Sequence, residues 1–161
     1  MPSPVWLTRA GLEELSGKSR GTARRRLNRN FHEADDPVHR LLNAIEPGSW
    51  VQPHRHLDPP RTETIVVVAG ALGLVVYDDD GRMTGVARLE PRGETFGVDL
   101  PPGTWHGLVA LEPGTVFFET KPGPYVPPAP ADRAAWAPAE GDPDAAAAER
   151  GLRGLFGPAR E

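Results

Sequence analysis

Residues 64–77 read Thr64-Ile-Val-Val-Val-Ala-Gly-Ala-Leu-Gly-Leu-Val-Val-Tyr77, and they give the strongest indication of the fold. Two runs of β-branched and aliphatic residues flank a short Ala-Gly-Ala break, a pattern typical of two neighbouring strands joined by a tight turn. Asp78-Asp-Asp-Gly81 is a second turn signal, and Thr84-Gly-Val-Ala-Arg-Leu89 follows it as a third strand. The centre of the chain is therefore predicted to be antiparallel β-structure.

Further short strands are predicted on both sides of this centre, at residues 37–45, 50–51, 105–111 and 115–120. The 161-residue chain has 19 prolines and 18 glycines, which favour short strands and tight turns over long helices. Because no helical pattern separates the strands, we expect an all-β fold, an antiparallel double-stranded β-helix or jelly-roll barrel.

Helices are predicted only at the two ends. Thr8 can cap a short N-terminal helix, and Asp142 can cap a last helix within a Pro/Ala-rich tail. We expect this tail to pack loosely or against a partner. The predicted organisation is a single domain over residues 1–161, with an N-terminal helical segment (1–24), a β-barrel (25–125) and a C-terminal extension (126–161).

Charge and composition narrow the possible functions. The net charge of −4 argues against binding to nucleic acid, and the five arginines between Arg20 and Arg29 are predicted to form a solvated or intersubunit face. No apolar run approaches the length of a membrane span, and no secretory signal pattern is found, so we expect a cytoplasmic protein without membrane contact. Cysteine is absent, so any metal must be bound by imidazole and carboxylate groups.

Four residues form the candidate metal site. His54 and His56 are two positions apart, so on an extended segment both imidazoles point to one face while Arg55 points away. Glu63 opens an apolar strand, where a carboxylate needs a cation as partner, and His106 follows the Pro-Pro-Gly turn before another strand. The alternative is that these are ordinary residues of a barrel without metal.

This donor set suits one divalent ion of Zn, Fe, Mn, Ni or Cu, and the affinity order does not select among them. Glu63 is also a candidate general base. His32, Arg61, Lys121 and Tyr125 are candidates for contacts with substrate or with a metal ligand. For Arg61 and Lys121 the simpler interpretation is a solvated charge at a strand edge, and for His39 it is a half-exposed strand residue.

The two histidine-containing segments resemble a known superfamily. Gly48, His54-x-His56, Glu63 and Gly70 are similar to the first motif of the cupins, and Pro101-x-Gly103-x-x-His106 to the core of the second. The resemblance implies a cupin barrel of the RmlC-like jelly-roll type. A departure is the stretch between His56 and Glu63, which is longer than in most cupins.

A closer resemblance, to the WbuC-type cupin fold metalloproteins, extends over most of the chain. It rests on residues 30–32, 35–38, 40–42, 46–48, 53–56, 58–60, 101–106, 111–115, 121–125 and 136–142. That family is associated with surface-polysaccharide (O-antigen) gene clusters. The resemblance implies a metal-binding cupin and, by association, a sugar or nucleotide sugar as substrate.

Three functions are compatible with these observations. The first is a metal-dependent enzyme, such as an isomerase or hydrolase, acting on a small polar molecule. The second is an iron-dependent oxygenase, because the same ligands leave positions open for O₂. The third is a non-catalytic cupin that binds or senses a small molecule. In each case we expect a homodimer, because cupins often pair through their terminal segments.

Overall fold

The computed structural model describes residues 3–157. In chain order the elements are α1 (Arg9–Arg20), β1 (Arg26–Asn30), β2 (Val38–Ile45), β3 (Glu63–Ala69), β4 (Leu72–Tyr77), β5 (Met83–Leu89), β6 (Gly97–Leu100), β7 (Trp105–Ala110), β8 (Thr115–Pro122), a 3-10 turn (Pro130–Asp132) and α2 (Ala145–Gly154). The predicted all-β class with a short N-terminal helix is confirmed.

The strands form two antiparallel sheets. One has five strands in the order β1-β2-β8-β3-β6, and the other has three in the order β5-β4-β7. The sequence runs that predicted β3, β4, β5, β7 and β8 lie on these strands. β1 and β6 were not predicted, because their sequences, Arg-Leu-Asn-Arg-Asn and Gly-Val-Asp-Leu, are short and lack a continuous apolar run.

The main core lies between the two sheets. Alternate residues of β3 point inward, so Ile65 and Val67 pack on Leu72, Leu74 and Phe117. The same alternation puts Glu63 on the inward face at the start of β3. The alternation of side chains along the strand therefore directs Glu63 into the barrel together with Ile65 and Val67.

Helix α1 covers the outer face of the five-stranded sheet. Thr8 accepts a hydrogen bond from the Gly11 backbone N–H at 3.1 Å, as predicted for its N-cap. Leu15 packs against Leu42, Ala44 and Val116. The helix continues to Arg20, within the predicted N-terminal segment 1–24.

The C-terminal extension packs on the barrel of its own chain, so of the two expectations, loose packing or packing against a partner, the first is corrected. Leu152 of α2 lies against Val75 and Val109, on the outer face of the three-stranded sheet. The Trp50 Nε1–H donates to Pro138 O at 2.9 Å, so Trp50 anchors the extension, and residues 50–51 form no strand. Asp142 does not cap α2, because the helix begins at Ala145.

The arginine-rich segment is only partly solvated. The Arg26 side chain is 18% exposed and pairs with Glu140, so this position corrects the prediction of a solvated face. Arg24 also pairs with Glu140, at 2.9 Å. Within residues 3–157 no helix has both the length and the apolar character needed to cross a membrane.

Candidate metal centre

The segment that contains His54 is held by hydrogen bonds on both sides. His54 and His106 exchange two backbone N–H···O bonds of 2.9 Å each, so this segment lies beside β7. On its other side, Arg55 N donates to Asp132 O and Ala134 N donates to Pro53 O, both at 2.9 Å. The C-terminal extension therefore forms part of the frame around the candidate site.

The four residues predicted as metal ligands come together in the structure. One potential ligand atom from each of His54, His56, Glu63 and His106 lies within 4.8 Å of the other three. The ring centroids of His54 and His106 are 4.4 Å apart, and those of His54 and His56 are 5.2 Å apart. The long connection between His56 and Glu63 therefore does not separate their side chains.

Two imidazole nitrogens in this cluster lack a hydrogen-bond partner. The Nε2 atoms of His56 and His106 are buried and make no hydrogen bond within the described residues. They lie 3.3 and 3.1 Å from Glu63 Oε2, but not in hydrogen-bonding alignment. Unpaired buried polar atoms are rare in folded proteins, so their convergence on one carboxylate oxygen is the arrangement expected of metal ligands.

The opposite ring nitrogens are positioned to fix the orientation of two histidines. His54 Nδ1 lies 3.2 Å from Gln52 O, and His106 Nδ1 lies 3.0 Å from Thr104 O. When Nδ1–H donates to a carbonyl oxygen, the lone pair is on Nε2 and is free to bind an ion. Burial and, second, the charge of His106 lower the pKa of His54 to about 3, so its imidazole is neutral near pH 7.

Charged groups continue from the cluster along the inner face of β8. The Lys121 Nζ atom lies 3.3 Å from Glu63 Oε1 and 2.6 Å from Glu119 Oε1. Burial raises the pKa of Glu63, whereas the positive charge of Lys121 lowers it, and the pKa lies below its usual range. Burial and the charge of Glu63 raise the pKa of Glu119 to about 7.

Arg61 corrects the expectation of a solvated charge, because it is only 8% exposed. Its Nη2–H donates to Pro124 O at 2.7 Å. Together with His56, Lys121 and Tyr125 it lines a cavity of about 60 Å³. Three of the four candidates for contacts beyond the metal ligands therefore share one cavity beside the cluster.

His32 is not brought into the cluster. Its ring stacks on His39, with centroids 4.1 Å apart, and its Nδ1 accepts from Arg40 N at 2.9 Å. His39 is 3% exposed, which corrects the prediction that it is half-exposed. His39 lies on β2 two positions from the buried Leu41, and therefore on the same face of the strand.

Sequence reasoning missed two buried acids near the cluster. Glu119 appeared as one polar residue within an apolar strand, and its inward direction could have been inferred from the period of two with Phe117. Asp132 lies in a Pro/Ala-rich segment that gave no signal. Its carboxylate accepts from the backbone N–H groups of Leu57 and Asp58, both at 3.2 Å, and so stabilises the connection after His56.

A family model described as a domain of unknown function (DUF6016) matches residues 7–89. The chain belongs to the DUF6016 family. The matched range contains His54, His56 and Glu63 and ends before His106. No curated protein sequence matches this DUF6016 protein.

Solved structures resemble the DUF6016 protein in fold. Oxalate oxidase in complex with the substrate analogue glycolate is 16% identical, with a TM-score of 0.50, and the match covers 64% of this chain and 55% of that chain. KdgF from Halomonas sp. is 22% identical, with a TM-score of 0.48 over 63% of this chain and 82% of that chain. The likeness to oxalate oxidase supports a cupin fold for this barrel.

Proposed function

We propose that this protein is a metal-dependent cupin enzyme of the WbuC type. It binds one divalent transition-metal ion through His54, His56, Glu63 and His106 and acts on a small polar molecule. A sugar or nucleotide sugar used in surface-polysaccharide synthesis is the proposed substrate class, and it rests on the sequence resemblance alone.

The observation that carries the metal proposal is the pair of buried, unpartnered Nε2 atoms of His56 and His106 beside Glu63 Oε2. His39 Nε2 is also buried without a partner, so the metal is indicated by the convergence of two such nitrogens on one carboxylate oxygen and not by a missing partner alone. Three imidazoles and one carboxylate fit Zn, Fe, Mn, Ni or Cu better than Ca or Mg, which prefer oxygen ligands. The residues present therefore fit the metal implied by the fold.

A bound ion would supply Lewis-acid chemistry, by polarising a substrate oxygen or lowering the pKa of a bound water. The residues of the chain supply position and charge. Lys121 holds Glu63 through Oε1, which leaves Oε2 directed at the histidines. The position of Glu63 favours the role of a ligand over that of a general base, because Oε2 faces the histidine nitrogens and Oε1 is held by Lys121.

Elemental analysis by plasma mass spectrometry on protein purified without a histidine tag tests the metal site. We expect about one metal ion per chain in the parent and less than about a tenth of that in the double variant His54→Ala/His56→Ala, because two of four ligands are lost. The His32→Ala/His39→Ala variant is the matched control and should keep its metal. Metal absent from the parent after reconstitution would contradict the proposal.

The metal found also separates the enzyme classes. Iron with oxygen consumption in the presence of substrate would favour an oxygenase, whereas zinc or manganese would favour Lewis-acid chemistry. His106→Ala in an enzyme should abolish turnover while some substrate binding remains. Ligand binding without product under any condition would instead identify a binding or sensing cupin.

We also propose that residues 1–161 act as one domain and form a homodimer. Size-exclusion chromatography with light scattering measures the mass of the particle directly. A mass of one chain at micromolar concentration would contradict the dimer.

A further inference from the structure

A buried guanidinium without a counter-ion lies beside the candidate metal centre. Arg61 is 8% exposed, and no carboxylate of residues 3–157 lies within 4.0 Å of its side-chain nitrogens. Its one side-chain hydrogen bond in this part of the chain goes to the neutral Pro124 O. Burying a charge without an opposite charge is unfavourable, so such a group is normally retained for a ligand.

The neighbouring cations show how unusual this position is. Lys121 lines the same cavity, and it lies 3.3 Å from Glu63 and 2.6 Å from Glu119. Arg55 pairs with Asp132 at 3.3 Å. The acid Asp132, which also lines the cavity, is already engaged by Arg55 and by two backbone N–H groups. Asp58 lines the cavity as well, but its carboxylate oxygens lie more than 4.0 Å from the side-chain nitrogens of Arg61. Arg61 is therefore the basic group in this cavity that has no carboxylate at ion-pairing distance.

We propose that Arg61 binds a carboxylate group of the substrate, in the cavity it shares with His56, Lys121 and Tyr125. This inference rests on the proposed function, because it assigns the substrate class of the same site. A guanidinium presents N–H groups in a plane, which matches the planar geometry of a carboxylate.

The size and charge of the cavity favour a carboxylate over a phosphate. The cavity volume is about 60 Å³, which accommodates a group of a few atoms at most. Asp58 and Asp132 line the same cavity, so a dianion is repelled there more strongly than a singly charged carboxylate. Within the proposed sugar class, the substrate is therefore one that carries a carboxylate, such as a sugar acid, and this carboxylate enters the cavity.

Binding of acetate and its neutral isostere acetamide to the full-length protein tests the proposal, measured by saturation-transfer NMR on both zinc-loaded and metal-free protein. We expect acetate to bind at least about tenfold more tightly than acetamide, since only acetate gains a charge-assisted hydrogen bond. We also expect it to bind more tightly than inorganic phosphate. Equal affinity for acetate and acetamide, or tighter binding of phosphate, would overturn the carboxylate assignment.

The Arg61→Met variant assigns the effect to the guanidinium. Acetate affinity should fall by about tenfold, while metal content is unchanged and the melting temperature is at least that of the parent, because an unpaired buried charge is removed. Arg82→Met is the matched control, since the Arg82 side chain is 73% exposed, and it should change neither quantity. Unchanged acetate affinity in Arg61→Met would overturn the proposal.

The elemental analysis is independent of these binding measurements. A chain that binds no metal but still prefers acetate through Arg61 would contradict the proposed function and keep the carboxylate site. A chain with stoichiometric metal and no preference for acetate would overturn this inference and keep the metal site. The comparison of acetate with acetamide needs no variant, so a folding defect in Arg61→Met does not prevent the test.

Discussion

Two buried glutamates, Glu46 beneath α1 and Glu63 at the candidate metal centre, have nearly the same exposure, 1% and 3%. Glu46 accepts from Ser16 Oγ at 2.8 Å, from Arg20 Nε at 3.2 Å and from Gly114 N at 3.1 Å. Glu63 accepts from Lys121 Nζ at 3.3 Å through Oε1, but its Oε2 faces imidazole nitrogens that are not aligned to donate to it. Glu46 therefore has a complete set of hydrogen-bond donors, whereas the set around Glu63 is incomplete.

This comparison shows that burial of a carboxylate does not by itself indicate function. A buried acid with donors on both oxygens stabilises the fold, as Glu46 does by joining α1 to the turn before β8. A buried carboxylate oxygen that faces lone-pair nitrogens, as Glu63 Oε2 does, can be satisfied together with them by a bound cation. The incomplete set of partners is therefore the informative feature, and the following predictions test it.

Exchanging each glutamate for glutamine should give the largest difference between the two regions, and the quantity that differs is the affinity for metal. Glu63→Gln should lower the affinity for metal by at least about 100-fold, because a charged ligand is replaced by a neutral one. Glu46→Gln should leave this affinity within about twofold of the parent value, since Glu46 is not in the ligand cluster. Competition with a chromophoric chelator measures both affinities, and an equal loss in the two variants would contradict the distinction.

Removing the Glu46 side chain should cause the largest loss of stability. Glu46→Ala leaves a buried hydroxyl and a backbone N–H without their acceptor, so the free energy of unfolding should fall by about 3 kcal/mol. Urea denaturation measures this value, with metal content followed in parallel. Loss of metal from the folded variant would show that the two regions are coupled.

Metal binding should stabilise the protein through the candidate metal centre alone, and not through the region around Glu46. At a free metal concentration about 100 times the Kd, the free energy of unfolding should rise by about 2.7 kcal/mol, because the ion binds only the folded chain. EDTA should reverse the rise. The His54→Ala/His56→Ala variant should show no change with metal or chelator, and stabilisation of that variant would indicate a different binding site.

The smallest effect expected is at the helix side of the Glu46 network. Ser16→Ala removes one of the donors to Glu46 and should lower the free energy of unfolding by about 1 kcal/mol. The remaining donors, from Arg20 and Gly114, keep Glu46 paired. Urea denaturation again gives the value, and a loss as large as that of Glu46→Ala would mean that the network fails as a unit.

Much of the fold could be predicted because its signals are local. β-branched runs and turn residues mark the central strands, and a period of two directs His54 and His56 to one face. β1 was missed because an edge strand with one buried neighbour can be polar along most of its length. The class of fold could therefore be predicted from sequence patterns, whereas the edge strands of the five-stranded sheet could not.

At the candidate site, contacts between residues far apart in sequence could not be predicted. The burial of Arg61 depends on Pro124, and that of His39 on the pairing of β2 with β8, and neither contact has a local pattern. Asp132 reaches the backbone after His56 from more than seventy positions away along the chain. Only the closed barrel brings these groups together.

The hydrogen bonds from residues 132–134 to the segment with His54 have a consequence for the order of folding. A chain is synthesised from its N-terminus, so His54, His56, Glu63 and His106 all leave the ribosome before Asp132 and Ala134 do. The nascent barrel then contains every proposed metal ligand but lacks the hydrogen bonds from residues 132–134 to the segment with His54. Selective loading with metal is accordingly expected only after synthesis has passed residue 134.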